Sequence, residues 1–115
     1  MNALVLAFLN SWRGLVHGLR TERAVRQEMA LLALGVPLAL ILGAELWVRV
    51  ALVASLLMML AAEFLNTAVE KLCDHLHPGR HPAIGTVKDL ASAGTFMAQA
   101  TALLVWVTAL VDRLS

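Results

Sequence analysis

The chain has 115 residues, of which 60% are hydrophobic and 15% are charged. Soluble domains have about 45–50% apolar and about 25% charged residues, and so short a chain cannot bury this much apolar surface in its own interior. The composition therefore excludes a soluble domain and, equally, a disordered chain. A net charge of +1 offers no basic surface for nucleic acid, and a single cysteine excludes an internal disulfide. We expect one membrane-embedded domain over residues 1–115.

The N-terminal segment, residues 3–20, repeats apolar side chains with a helical period. Polar and basic residues, including Asn10, Arg13 and His17, lie between them. This pattern is typical of an amphipathic helix on a membrane surface. A cleaved signal peptide is disfavoured, because no charge precedes the apolar run. We therefore predict a surface helix and its junction over residues 1–28.

Three further segments are long and apolar enough to cross a bilayer, which requires about 20 residues. They are predicted at residues 29–48, 50–72 and 90–111, and Pro37 is expected to bend the first. Two prolines and two glycines in residues 75–86 mark a loop between the second and third spans. Thr86 and Asp89 have the spacing of a capping box at the start of the third span. The predicted fold is all-α, with three transmembrane helices after the surface helix.

The distribution of Lys and Arg predicts the orientation. Three spans place the N-terminal helix and the second loop on one side of the membrane. That side carries seven basic residues: Arg13, Arg20, Arg23, Arg26, Lys71, Arg80 and Lys88. The other side carries Arg49 and Arg113. The positive-inside rule therefore predicts that the first side is cytoplasmic, in an inner membrane.

Three polar residues lie on one face of the second span, because Glu63, Asn66 and Glu70 have spacings of three and four. At 100° per residue they fall within roughly 60° of one another. An ionisable group inside a span costs at least ~2.5 kcal/mol, so it is a functional candidate. Two carboxylates could hold magnesium, and one could act as a general base. The alternative is that these groups only hydrogen-bond neighbouring helices.

A second polar group precedes the first span and consists of Glu22, Arg26, Gln27 and Glu28. Its simplest interpretation is an exposed Glu22–Arg26 pair worth ~0.3 kcal/mol. Zinc-type ligands also lie close together at Cys73, Asp74, His75, His77 and His81. Their spacing matches no standard zinc site, so loop histidines at the membrane interface are the favoured interpretation.

Four motifs occur in order along the chain: SWRGL (11–15), ERAVRQE (22–28), AEFLNTAVEKLCD (62–74) and KDLASA (88–93). Together they resemble the bacterial integral-membrane diacylglycerol kinase family, which has E-x-x-N-[ST]-A-[IV]-E-x-x-x-D followed by a K-D pair. The resemblance extends over roughly residues 10–112. It implies a homotrimeric helical bundle with active sites shared between subunits at the cytoplasmic interface. It also implies phosphorylation of diacylglycerol to phosphatidic acid by ATP, with Mg²⁺ as cofactor.

The resemblance also implies roles for individual residues. Glu63 would be the general base on the lipid hydroxyl and contact the substrate, and Asn66 would position the reacting groups. Glu22 and Glu70 would hold Mg²⁺ and ATP. The remaining nucleotide contacts would be Gly79, Arg80, His81, Lys88 and Asp89. The remaining contacts to the lipid substrate would be Arg26, Gln27 and Ser92.

The chain departs from the family pattern at two nucleotide contacts. Gly79-Arg80-His81 stands where the family has E-Y-H, and Asn10 stands where a tyrosine precedes the S-W pair. An undecaprenol kinase of the same fold needs the same catalytic residues and is the nearest alternative. A small oligomeric transporter with an intramembrane Glu is the alternative from another class, and a scaffold without catalysis is a third.

Overall fold

The computed structural model describes residues 2–115 and consists of four α-helices joined by short connections. The helices are α1 (Ala3–Thr21), α2 (Arg23–Leu42), α3 (Leu46–Leu76) and α4 (Pro82–Leu114). The last three are long and apolar enough to cross a membrane. The predicted all-α fold with a separate N-terminal helix and three candidate spans is therefore confirmed.

Helix α1 begins where the Asn2 side chain accepts a hydrogen bond from the backbone N–H of Leu4. It ends at Thr21, and the extended backbone of the next residue, Glu22, separates α1 from α2. Gly18, in the last turn of α1, approaches the Phe64 ring of α3 so closely that a Cβ there would lie 2.5 Å from a ring carbon. This contact fixes the C-terminal end of α1 against α3.

The turn between α2 and α3 occupies Gly43, Ala44 and Glu45, earlier in the chain than predicted. The Arg49 guanidinium donates a 2.9 Å hydrogen bond to the Gly43 carbonyl and so stabilises the turn. The predicted first span, 29–48, extends past this turn, and its last residues, Trp47 and Val48, belong to α3. Helix α2 continues through Pro37.

Helix α4 begins at Pro82 and is capped by the His81 ring, whose Nδ1 accepts from the Ala83 N–H. Proline suits the first helical position because it has no N–H to leave unsatisfied. The predicted capping box at Thr86–Asp89 is wrong, because Thr86 lies inside α4 and its hydroxyl donates to the Pro82 carbonyl. The non-helical part of the loop is residues 77–81.

Helix α3 packs extensively against both α2 and α4, which touch each other much less. The molecule is consequently flat, with extents of 52 × 41 × 22 Å. Its buried core is formed by small and aliphatic residues on facing helices, namely Ala39, Leu52, Leu56, Met59, Ala102 and Ala109. Large apolar side chains such as Leu34, Leu65 and Leu103 remain exposed along the long helices. The fold therefore requires lipid or further protein to cover these faces.

Candidate functional site

The polar residues singled out in the sequence converge at one end of the helical layer. Because α2, α3 and α4 alternate in direction, the start of α2, the end of α3 and the start of α4 share that end. Two ion pairs connect these three elements: Lys71 of α3 with Glu22, and Lys88 of α4 with Asp74 of α3. We call this group of elements the charged end.

Glu63 lies at the inner edge of the charged end and is buried, with 8% of its surface exposed. The second buried acid, Glu28 of α2, is 7% exposed and lies close to the Glu63 carboxyl group. Glu28 Oε1 has no hydrogen-bond partner among the described residues. Burying two adjacent carboxyl groups between apolar helices costs folding free energy, so the stability of the fold does not explain their presence. Such a pair is therefore a functional candidate.

Asn66 lies one turn beyond Glu63 on α3, and its Nδ2 donates a 3.1 Å hydrogen bond to Glu70 Oε1. The bond stays within α3, so it does not connect neighbouring helices as the helix-packing alternative requires. The other side-chain atom of Asn66, Oδ1, is buried and has no partner in the part of the chain that the structure describes. The unpartnered Asn66 Oδ1 and the Glu70 carboxylate together are oxygen ligands of the kind that hard cations such as Mg²⁺ prefer.

Glu22, at the junction of α1 and α2, forms an ion pair with Lys71. The distance between Glu22 Oε2 and Lys71 Nζ is 3.2 Å. The neighbouring Thr21 hydroxyl and then the Lys71 ammonium hold the pKa of the Glu22 carboxyl below its usual 4.5. The prediction of an exposed ion pair between Glu22 and Arg26 is wrong, because Glu22 pairs with Lys71. The Arg26 guanidinium instead donates to the carbonyls of Leu19 and Arg20 at the end of α1.

Lys88, in the second turn of α4, forms an ion pair with Asp74, with 2.5 Å between Nζ and Oδ1. Lys88 also borders a groove of about 560 Å³ in the second loop. The groove brings Lys88 together with the three predicted loop contacts, Gly79, Arg80 and His81. The His81 ring meets the His77 ring edge to face, with 4.9 Å between ring centres.

Four predicted site residues lie at the charged end without joining the buried carboxyl pair. Gln27, Asp89 and Ser92 are exposed, and Arg26 is engaged with the end of α1. These four residues therefore lie on the surface around the charged end, and their roles stay predictions.

The cysteine and histidine group does not assemble into a shared centre. Cys73 is buried, whereas His77 Nδ1 contacts the Gly79 carbonyl and His81 caps α4. Within residues 2–115, no three His, Cys, Asp or Glu side chains are grouped closely enough to hold a metal ion by themselves.

An apolar groove of about 430 Å³ runs along the face formed by α2, α3 and α4. Gln99 is the one polar side chain that lines it, and Gln99 also lies beside Glu28. The other lining residues are Leu31, Leu34, Gly35, Leu38, Leu56, Met59, Ala102, Leu103 and Trp106. The groove thus leads from the apolar part of the molecule towards the buried carboxyl pair.

Sequence reasoning did not assign roles to Glu28, Lys71 or Gln99. A signal for Glu28 was present, because Glu28 lies seven residues before Gly35 and eleven residues before Ala39, on the same buried face of α2. Lys71 offered no such signal, since its partner Glu22 is distant in the sequence and only the fold brings them together.

Comparison with known proteins gives consistent matches. The sequence profile described as "Prokaryotic diacylglycerol kinase" matches residues 9–110. Diacylglycerol kinase of Escherichia coli K12 is 33% identical over 96 residues, covering 84% of this chain and 79% of the relative. The Haemophilus influenzae protein of that name is 34% identical over 96 residues, covering 84% and 81%. That of Pseudomonas aeruginosa is 33% identical over 100 residues, covering 87% and 81%. These matches confirm the resemblance drawn from the four motifs.

Proposed function

Because the chain belongs to the prokaryotic diacylglycerol kinase family, we propose that it transfers the terminal phosphate of ATP to the free hydroxyl of diacylglycerol, giving phosphatidic acid. The observation that carries this proposal is the position of Glu63. It is a buried acid at the level where apolar helices give way to the charged end. A lipid hydroxyl lies at this same boundary between hydrocarbon and water.

Glu63 is the proposed general base, and Asn66 positions the reacting groups. Glu63 takes the proton of the lipid hydroxyl as that oxygen forms a bond to the terminal phosphorus of ATP. The bond from this phosphorus to the bridging oxygen breaks, and ADP leaves. Phosphoryl transfer depends mainly on alignment and on neutralising negative charge. Glu63 as the base, Lys88 as a cation and the metal-binding carboxylates Glu22 and Glu70 would provide these elements without a glycine-rich phosphate loop.

The donors at the charged end fit magnesium bound together with a nucleotide. Mg²⁺ is commonly held by one or two carboxylates plus substrate phosphates, rather than by a complete set of protein ligands. Glu22 and Glu70 would supply these carboxylates, and the unpartnered Asn66 Oδ1 beside Glu70 is a further hard donor. The bound ion would neutralise charge on the phosphates. Lys88 and Asp89 would bind the nucleotide, with Gly79, Arg80 and His81 lining the groove beside Lys88.

The lipid substrate would approach from the membrane side of the charged end. Arg26, Gln27 and Ser92 are the proposed headgroup contacts. The apolar groove that ends at Gln99 suits one acyl chain, because it leads to Glu28 and Glu63. In this arrangement the hydroxyl reaches the base while the chain remains in an apolar environment.

The charged end is proposed to face the cytoplasm of a bacterial inner membrane, since seven of the nine Lys and Arg residues lie on its side. We further propose that the protein is a homotrimer. A flat layer only 22 Å thick leaves long helices uncovered on both faces. Exposed site residues such as Asp89 and Ser92 would then complete the site of a neighbouring subunit.

The test is phosphate transfer from labelled Mg²⁺-ATP to diacylglycerol and, separately, to undecaprenol in mixed micelles. Wild type, Glu63→Gln and Glu45→Gln are compared, since Glu45 is an exposed acid at the opposite end. We expect labelled phosphatidic acid from wild type and Glu45→Gln, with at least a 100-fold loss in Glu63→Gln. Preferred labelling of undecaprenol would change the substrate and keep the mechanism. A folded protein that labels neither lipid would contradict the kinase assignment.

A further inference from the structure

The ion pair between Lys71 and Glu22 connects two parts of the charged end that are distant in the sequence. Lys71 Nζ lies 3.2 Å from Glu22 Oε2, and the two side chains are 51% and 24% exposed. Lys71 directly follows Glu70 on α3, whereas Glu22 forms the extended link between α1 and α2. The contact thus joins the surface helix junction to the end of α3.

The position of this ammonium group matters because Glu22 is one of the two proposed magnesium ligands. A carboxylate oxygen already paired with an ammonium group must lose that partner before it binds a metal ion at the same place. An ion pair this exposed is weak and contributes at most about 1 kcal/mol. A divalent cation held by Glu22, Glu70 and nucleotide phosphates can therefore displace it.

We propose that Lys71 is a resident counter-ion of the metal–nucleotide site. Without metal it pairs with Glu22 and holds the α1–α2 junction against α3. When the divalent cation binds, Lys71 releases Glu22, and its flexible four-carbon stem leaves the ammonium free to turn towards solvent. The competition sets the metal concentration at which the site fills. This inference rests on the proposed role of Glu22 as a metal ligand.

The test is binding of Mn²⁺, followed by electron paramagnetic resonance, to the detergent-solubilised protein with a non-hydrolysable ATP analogue. The variants are Lys71→Gln, Lys71→Arg, Glu22→Gln and Arg13→Gln. Arg13 is the matched control for lost charge, because it is exposed on α1 and contacts Asn10 of the same helix. We expect Lys71→Gln to bind Mn²⁺ about 3- to 5-fold more tightly than wild type. Lys71→Arg and Arg13→Gln should stay within 2-fold of wild type.

Equal or weaker Mn²⁺ binding in Lys71→Gln would overturn the proposal. The Glu22→Gln variant separates this failure from failure of the metal assignment. If Glu22→Gln binds Mn²⁺ as wild type does, Glu22 is not a ligand, and both the metal assignment and the inference are wrong. The lipid kinase assay on the same preparations shows separately whether the enzymatic assignment holds.

Thermal unfolding supplies a second readout, because loss of a purely structural lysine would lower the unfolding temperature by the same amount with and without metal. In the presence of a chelator, Lys71→Gln should unfold at a lower temperature than wild type, because the Glu22 contact is lost. At saturating Mg²⁺ with the ATP analogue the difference should disappear, since Lys71 no longer pairs with Glu22 in wild type. A difference of the same size under both conditions would contradict displacement of the lysine.

Discussion

Lys88 Nζ on α4 lies 2.5 Å from Asp74 Oδ1 on α3, and this ion pair spans the loop between the two longest helices. Lys88 is thereby held at the edge of the groove that contains Gly79, Arg80 and His81. The pair is largely exposed, so solvent screens it and its direct contribution to folding is small. Its main effect is to place a cation where phosphate groups are expected.

We therefore predict that Lys88→Met greatly lowers kinase activity but leaves the stability of the fold nearly unchanged. Loss of the ammonium should lower kcat/KM for ATP at least 100-fold, because a charge that neutralises phosphate is removed. The unfolding temperature in detergent should change by only a few degrees. Lys88→Arg, which keeps the charge, should retain more activity than Lys88→Met. Equal activity of Lys88→Met and wild type would show that Lys88 does not contact the nucleotide.

The contact between Gly18 and Phe64 predicts a difference between two glycines of the same helix. A Cβ at Gly18 would lie 2.5 Å from the Phe64 ring, whereas nothing lies within 4 Å of a Cβ at Gly14. Gly18→Val should displace the end of α1 from α3 and reduce kinase activity several-fold through misplacement of Glu22. Gly14→Val should leave activity unchanged. Activity and helical content measured on both variants check this, and equal effects at the two positions would contradict it.

The buried Glu28 predicts a stabilising substitution. One of its carboxyl oxygens has no hydrogen-bond partner within residues 2–115, and the Glu63 carboxyl lies close to it. An unsatisfied buried polar atom costs about 1–3 kcal/mol. Glu28→Gln keeps the side-chain size and removes an acidic group, so it should raise the unfolding temperature. The exposed Glu45→Gln is the control and should leave it unchanged. A lower unfolding temperature for Glu28→Gln would contradict this account.

The lowered pKa of Glu22 predicts a pH dependence of stability. A carboxyl whose pKa is lower in the folded state contributes stability above its unfolded-state value. That contribution is lost as pH falls through the folded value, which lies below 4.5. In the presence of a chelator, wild type should therefore unfold at a higher temperature than Glu22→Gln at pH 7. The difference should shrink steadily below pH 4.5, and a constant difference down to pH 3 would contradict the prediction.

Much of the fold is predictable because long apolar segments and helical periodicity are strong local signals. The turn after α2 was misplaced because Leu46, Trp47 and Val48 continue the apolar run and hide the break at Gly43–Glu45. The start of α4 was misplaced because Thr86 and Asp89 imitate a cap, although Pro82 marks the true first turn.

The candidate site was predictable only where its residues share one helix. Glu63, Asn66 and Glu70 form a recognisable stripe, because their spacing on α3 is local. The pairing of Lys71 with Glu22 and the approach of Glu28 to Glu63 depend on how separate helices pack. Local spacing contains no information about such contacts.

The lengths of α3 and α4 also tie catalysis to the thickness of the bilayer. Helix α3 has 31 residues and α4 has 33, so at 1.5 Å per residue they extend about 46 Å and about 50 Å. A hydrocarbon core of about 30 Å covers only part of each helix. A thicker membrane would immerse the charged end more deeply among the lipid headgroups, and a thinner one would raise Glu63 above the level of the lipid hydroxyl groups. The enzyme would thus respond to the hydrophobic match between its helices and the surrounding lipids.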